Sequence, residues 1–156
     1  MNNRFTKLIA SGSYIPEVTV KNSDFLNNKF FTANKEQLNK TNEEIVKKLE
    51  EITGISERRY VADNQVTSDI AYLAAEDAFQ SSGVDRESLD CIIVAHNFGD
   101  VKSDNRRSDF VPSIAARVKQ RLGIHNPKTI AFDINFGCPG WLMGVIQADS
   151  FIKSGI

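Results

Sequence analysis

A strand that turns directly into a nearly all-apolar helix, with a cysteine in the turn, constrains this chain more than any other feature. Residues 129–135 alternate enough to read as a β-strand, and residues 141–152 form one apolar helical run. Between them lies Phe136-Gly137-Cys138-Pro139-Gly140. Glycines on both sides of the thiol let backbone approach it closely. Pro139 suits the first helical position, where its missing N–H costs nothing. A cysteine at that entrance sits near unpaired N–H groups and the positive end of the helix dipole, and both favour the reactive thiolate. Cys138 therefore reads as a nucleophile. The plain alternative is a small buried hydrophobe, the usual fate of a free cysteine. Cys91 provides the internal comparison: inside Asp90-Cys91-Ile92-Ile93-Val94-Ala95, an apolar strand without turn chemistry, it reads as core. A phosphate-cradling loop is a third reading of the turn, which lacks both the G-x-G-x-x-G spacing and the Walker lysine.

The helix after the cysteine adds a second constraint. Trp141, Leu142, Met143, Val145, Ile146, Ala148, Phe151 and Ile152 leave it almost no polar face. Such a helix wants burial on every side. A chain of 156 residues can cover one side, so another layer of protein is expected on the other. With Gly155 as an apparent helix cap near the last residue, the sequence reads as half of something larger.

The remaining elements alternate between strand and helix. Residues 4–13 read as a first strand, and residues 20–40, rich in Asn and Lys, as a partly ordered connection or flap. Thr41 and Glu44 form a capping box, Ile45, Leu49 and Ile52 give the helix an apolar face, and Gly54 stops it. Residues 55–61 read as extended. Thr67 or Ser68 caps a second helix ending at Gly83, and residues 90–95 are a strand covered on both sides. A polar loop over 96–109 is long enough to be functional. Pro112 opens a third helix, with Ile114, Ala115, Val118 and Leu122 inward and Gly123 at its end. The alternation indicates an α/β fold with a largely parallel sheet.

Composition narrows the partners. A net charge of −1 argues against a surface that neutralises nucleic-acid phosphates. Two cysteines in such different settings suggest no disulfide framework, so a reducing, cytoplasmic compartment is expected. No signal peptide or membrane-spanning stretch is visible, so no membrane partner is expected.

Several segments in order resemble the β-ketoacyl-acyl-carrier-protein synthase III enzymes of the thiolase superfamily. Thr53-Gly54-Ile55-Ser56-Glu57-Arg58-Arg59 is similar to the T-G-I-x-x-R-R segment of that family, and Thr67-Ser68-Asp69-Ile70-Ala71 to its T-S-D-L-A helix start. Phe110, Pro112 and Ser113 resemble an F-P-S-x-A start with Val111 as an extra residue or a shifted register. Phe132-Asp133-Ile134-Asn135 with Gly137-Cys138-Pro139-Gly140 is similar to the nucleophile segment F-D-[IV]-x-x-x-C-[AS]-G. The resemblance implies a thiolase-like fold of α/β/α/β/α layers with a mostly parallel mixed sheet, of which residues 1–156 hold the N-terminal domain. It implies that Cys138 accepts an acyl group from an acyl-CoA or an acyl carrier protein. Decarboxylation of a malonyl carrier-protein thioester then supplies the carbanion that condenses with it, in fatty acid biosynthesis. It further implies no cofactor beyond these substrates, a homodimer, and a decarboxylating His and Asn in the C-terminal half, outside this chain, so that the chain alone is inactive.

Three positions depart from the family pattern. Lys48 stands near a usual Trp, Ile52 replaces an Arg, and Pro139-Gly140-Trp141 replaces a smaller pair after the cysteine. Trp141 is thereby expected at the acyl pocket, and Phe110 at the pocket of a dimer partner, with core packing as its ordinary alternative. Arg58 and Arg59 are expected to meet a CoA phosphate or an acidic carrier. The same role is open to Arg106 and Arg107, although solvated surface is the preferred reading there. His96 and Asn97 end the best strand, where α/β proteins place ligands, against the reading of a plain polar strand end. Ketosynthases for polyketides, alkylresorcinols or quinolones remain open. So do a non-catalytic acyl-binding or dimerisation module and a cysteine hydrolase with His96 as base.

Overall fold

In the computed structural model, residues 4–155 are described, and they divide into two compact units. One comprises residues 4–14 and 63–155, the other Ile15–Ala62.

The smaller unit is an antiparallel strand pair beside one helix. β1 (Val18–Lys21) pairs with β2 (Glu57–Tyr60), Val20 lying opposite Arg58. The helix α1 (Asn42–Thr53) starts where local chemistry dictates. Thr41 Oγ1 accepts the Glu44 N–H, the Glu44 carboxylate accepts the Thr41 N–H, and Gly54 closes the helix at φ 68°. Of its apolar face only Ile45 is fully buried, while Leu49 and Ile52 stay exposed. Arg58 organises the unit's other side. Its Nη2 donates to Asn22 Oδ1 at 2.9 Å, and its guanidinium lies 5.0 Å from the Phe25 ring centre.

The larger unit has three layers. β3 (Cys91–His96) and β4 (Ile130–Asn135) are parallel neighbours, Ile93 opposite Phe132. Two helices, α2 (Thr67–Ser82) and α3 (Ile114–Arg121), cover one face. There Ile114, Val118, Leu122 and Ile124 form the buried core, with Tyr72, Phe79, Ile92 and Val94 packed against it. α4 (Gly140–Ser154) covers the opposite face. Gly140 eases that approach, since a Cβ there would lie 3.2 Å from Ala95 Cβ, whereas one on Gly144 would make an ordinary contact with Ile93 Cγ2. The α/β architecture agrees with expectation; among the described residues β1 and β2 form an antiparallel two-stranded sheet and β3 and β4 a parallel one.

Four readings need correction. Residues 4–13 are not a strand; Thr6 Oγ1 donates to Asp149 of α4, and residues 11–13 lie against α2. Ser13 N donates to Asp77 Oδ2 and Ser81 Oγ to Ser11 O, and a Cβ on Gly12 would fall 2.2 Å from Ala78 N. The cap of α2 is Val66, not Thr67 or Ser68, whose hydroxyls are drawn off to Gly99 O and Asp100. Asp69 instead takes the Val66 N–H. Pro139 is the cap of α4 rather than its first residue, and α3 opens at Ile114 behind its cap Ser113, not at Pro112.

One carboxylate ties the larger unit together. Asp133 Oδ2 and Oδ1 accept the N–H groups of Ile114 and Ala115 at 2.7 and 2.8 Å, and His96 Nε2 lies 3.0 Å from Oδ2. Replacing Asp133 with Ala would leave these donors unsatisfied in a site from which water is largely excluded. We expect a loss of about 3 kcal/mol, read as a fall of roughly 10 °C in Tm. Gly12→Ala should also destabilise, by about 2 kcal/mol in a denaturant titration, because backbone rather than a flexible side chain occupies the Cβ position.

Candidate active site

Parallel strands finish at the same end, and this brings the sequence candidates of the larger unit together. Phe136 N donates to His96 O at 3.2 Å, so the chain leaving β4 begins beside the chain leaving β3. From there Gly137 and Cys138 lead into α4. Gly140 N donates to Gly137 O at 2.8 Å, making the turn, and Met143 N donates to Pro139 O at 3.1 Å, making the first helical bond. Cys138 stands one residue outside the cap and is exposed. Cys91, in mid-strand, is half-buried, and burial together with the Asp90 charge pushes its thiol up.

His96 is held from both sides. Gly99 N donates to Nδ1 at 2.9 Å, so the ring proton sits on Nε2 and is given to Asp133. Both ring nitrogens are thereby engaged inside the chain, and the side chain is buried. That arrangement reads as a pin for the turn after β3 rather than as a base or a ligand. Asn97 beside it is exposed. The Phe110 ring centre lies 5.9 Å from that of His96, and the side chain is part-exposed.

The turn continues into a clamp that sequence reasoning missed. Asp100 is buried, accepting Ser68 N and Oγ at 2.7 Å each and Arg117 Nη1 at 2.6 Å. The same guanidinium reaches Asp109 Oδ1 with Nη2 at 2.9 Å. Asp100 and Asp109 also exchange backbone bonds of 3.0 and 2.9 Å, which seals the base of the loop. The Arg117 hydrogen bond, then the Val111 N–H, hold the Asp109 carboxyl below its ordinary value. The available signal was the pair of acids bounding the polar loop, with an arginine one turn into the next helix.

Trp141 is exposed and walls a cleft of about 920 Å³ between α4 and the β3–β4 face, with Ile93, Ala95, Phe132, Val145 and Phe151. Cys138 is not among its lining residues. Arg58 and Arg59 belong to the smaller unit, where Arg58 is engaged as described and Arg59 is exposed on β2 opposite Thr19. Among the described residues, no group of three His, Cys, Asp or Glu side chains is placed to hold a metal ion. No helix among them is long and apolar enough to cross a membrane.

The comparisons with known proteins agree on one relationship. No protein-family model matches the chain. The β-ketoacyl-[acyl-carrier-protein] synthase III of Acholeplasma laidlawii is 34% identical over 155 residues, which is 99% of this chain and 43% of that protein. The crystal structure of the synthase III of Thermus thermophilus superposes with a TM-score of 0.70 at 33% identity, covering 96% of this chain and 39% of that one. The chain is homologous to the N-terminal ~40% of β-ketoacyl-ACP synthase III. Its fold is accordingly that of the N-terminal half of the thiolase-like synthases. The priming β-ketosynthase of the R1128 polyketide pathway shares the fold, with a TM-score of 0.71 at 22% identity. This chain spans about 40% of the length of the synthase III relatives it matches.

Two measurements check the geometry. Iodoacetamide on the native chain near pH 7.5 should modify Cys138 first, with Cys91 reacting only on unfolding, as read by peptide mass spectrometry. The Asp109 carboxyl has a folded value below its unfolded one, so its contribution to loop closure is complete above about pH 4 and lost as pH falls through the lowered value. Hydrogen exchange at the Asp109 amide should rise faster than elsewhere in that acid range, and Arg117→Gln should remove this pH dependence.

Proposed function

We propose that this chain supplies the acyl-accepting part of a condensing acyltransferase like the synthase III relatives, with Cys138 as the nucleophile. The observation that carries the reading is an exposed cysteine at the β4–α4 turn of a chain homologous to those enzymes. In the reaction, Cys138 Sγ attacks the carbonyl carbon of an acyl thioester, and the carbon–sulfur bond to the donor breaks. The donor leaves as a thiolate, and the acyl group remains on Cys138 as a new thioester. The Cys138 N–H is assigned to the oxyanion formed during attack. A malonyl carrier-protein thioester then loses carbon dioxide, its carbanion attacks the acyl carbonyl, and the Cys138 thiolate is released. Proton handling in that second step is assigned to residues beyond this chain, so the chain alone should acylate without condensing. Fatty acid biosynthesis, a homodimer and an acyl-CoA or carrier-bound donor are parts of this proposal.

Incubation with a radiolabelled short acyl-CoA should leave a hydroxylamine-sensitive label on the wild-type chain and on Cys91→Ala. Cys138→Ala should carry less than about a hundredth of it. Label retained in Cys138→Ala would remove the assignment. A second reading, a non-catalytic acyl-binding or dimerisation module, draws on the exposure of Trp141, Leu142 and Ile146 along α4. It predicts acyl binding in the cleft with no label on either cysteine.

A further inference from the structure

The loop between β3 and α3 is ordered at its base and electrically unbalanced at its tip. A connection as long as residues 97–109 is functional or disordered in a compact unit. This one is fixed by the Asp100–Asp109 backbone pair, the Arg117 fork, and a bond of 3.0 Å from Ser103 Oγ to Asp63 O. Those contacts occupy the acids at the base. The tip, residues 101–108, keeps Lys102, Arg106 and Arg107 against Asp104 alone, all of them exposed.

The arginines of the tip, like the exposed Arg59 of the smaller unit, differ from those held by partners. Arg58, Arg86, Arg117 and Arg121 are each held, by Asn22, Glu76, Asp100 with Asp109, and Asp69 respectively. The side chains of Arg106 and Arg107 have no ion-pair or hydrogen-bond partner among the described residues. Counted inward from the Asp100–Asp109 bridge, Lys102 and Arg107 lie equally far along opposite limbs. The cations are therefore gathered on a narrow tip, in a chain whose net charge is −1. The loop leaves β3 at the end where β4 delivers Cys138.

We propose that Arg106 and Arg107 bind the phosphate of a phosphopantetheine thioester that brings its acyl group to Cys138. The proposal rests on the acyl-transfer reading above. A guanidinium presents parallel N–H donors that match two phosphate oxygens, and a fixed loop base spares part of the cost of ordering them. Two sources carry that phosphate group, coenzyme A and the prosthetic arm of a carrier protein.

The test is calorimetric titration of coenzyme A and of holo-carrier protein into the 156-residue chain and its R106Q/R107Q double variant. At least one should bind the wild type and lose about tenfold or more in affinity in the variant. Inorganic pyrophosphate should compete and pantetheine should not. Coenzyme A binding alone names it as the source, and holo-carrier binding alone names the carrier. Equal affinities in wild type and variant, no binding of either probe to the wild type, or apo-carrier bound as tightly as holo-carrier would each overturn the phosphate assignment. The last of these would mark an acidic protein surface as the partner instead. Both substitutions lie outside the clamp, and matching thermal melts check that the fold is kept. Labelling of Cys138 by a phosphate-free N-acetylcysteamine thioester separates the two ideas. If it labels while binding is unchanged in the variant, only this inference fails; if no thioester labels Cys138, the acyl-transfer reading fails.

Discussion

A carboxylate in the body of a parallel strand has to be met by donors from inside the protein, and Asp133 meets this demand in a way that organises the larger unit. Two of its donors are the first free N–H groups of α3, which the helix cannot satisfy itself. A third is His96, at the end of the neighbouring strand. Strand, helix and adjacent strand are thus joined at one side chain. The consequence runs further, because the tautomer that gives its Nε2 proton to Asp133 leaves Nδ1 free to accept the Gly99 N–H. That acceptance shapes the turn into Asp100, whose own buried carboxylate recruits Ser68 and Arg117. The end of the sheet at which Cys138 emerges is therefore set by connected polar contacts rather than by apolar packing alone.

What was legible in the sequence follows from how local each determinant is. The start of α1 was readable because Thr41 and Glu44 satisfy each other within one turn, and its end because Gly54 adopts a conformation that favours glycine. β3 and β4 were readable to within a residue because an unbroken apolar run and its neighbour need no remote partner to declare themselves. The cap of α2 was not, since Thr67 and Ser68 spend their hydroxyls on residues some thirty positions away. The first segment failed for a related reason. Alternation in residues 4–13 says which side chains want cover, but a strand exists only through its ladder, and here Phe5, Leu8 and Ile9 remain exposed. His96 carried two readings, a ligand or a plain polar strand end, because the partners that hold its ring, Gly99 and Asp133, are not declared by the local sequence.

The apolarity of α4 has two separate causes, which the sequence merged into one. Gly140 and Gly144 face β3, and at Gly140 a small residue lets the helix lie close against the strand. Phe151 meets Phe132 edge to face, with ring centres 6.1 Å apart, which completes that side. Leu142 and Ile146 serve neither purpose and stand exposed, and Trp141 is exposed at the wall of the cleft. An amphipathic helix would have placed polar residues there. Their retention as large apolar groups is the physical signature of a surface meant for contact.

That surface and the chemistry proposed for Cys138 constrain each other. A thioester formed on a cysteine as exposed as this one meets water, and hydrolysis competes with every slower step. Trp141 lies three residues from Cys138 and is itself 74% exposed, so a layer packed on the outer side of α4 would cover the approach to the thiol as well. Covering the helix and protecting the acyl group then become one requirement. A helix polar on its outer side would satisfy neither. On this argument the exposed apolar side chains belong to the mechanism as much as the cysteine does, because they set the conditions under which an acyl group transferred to Cys138 survives long enough to be used.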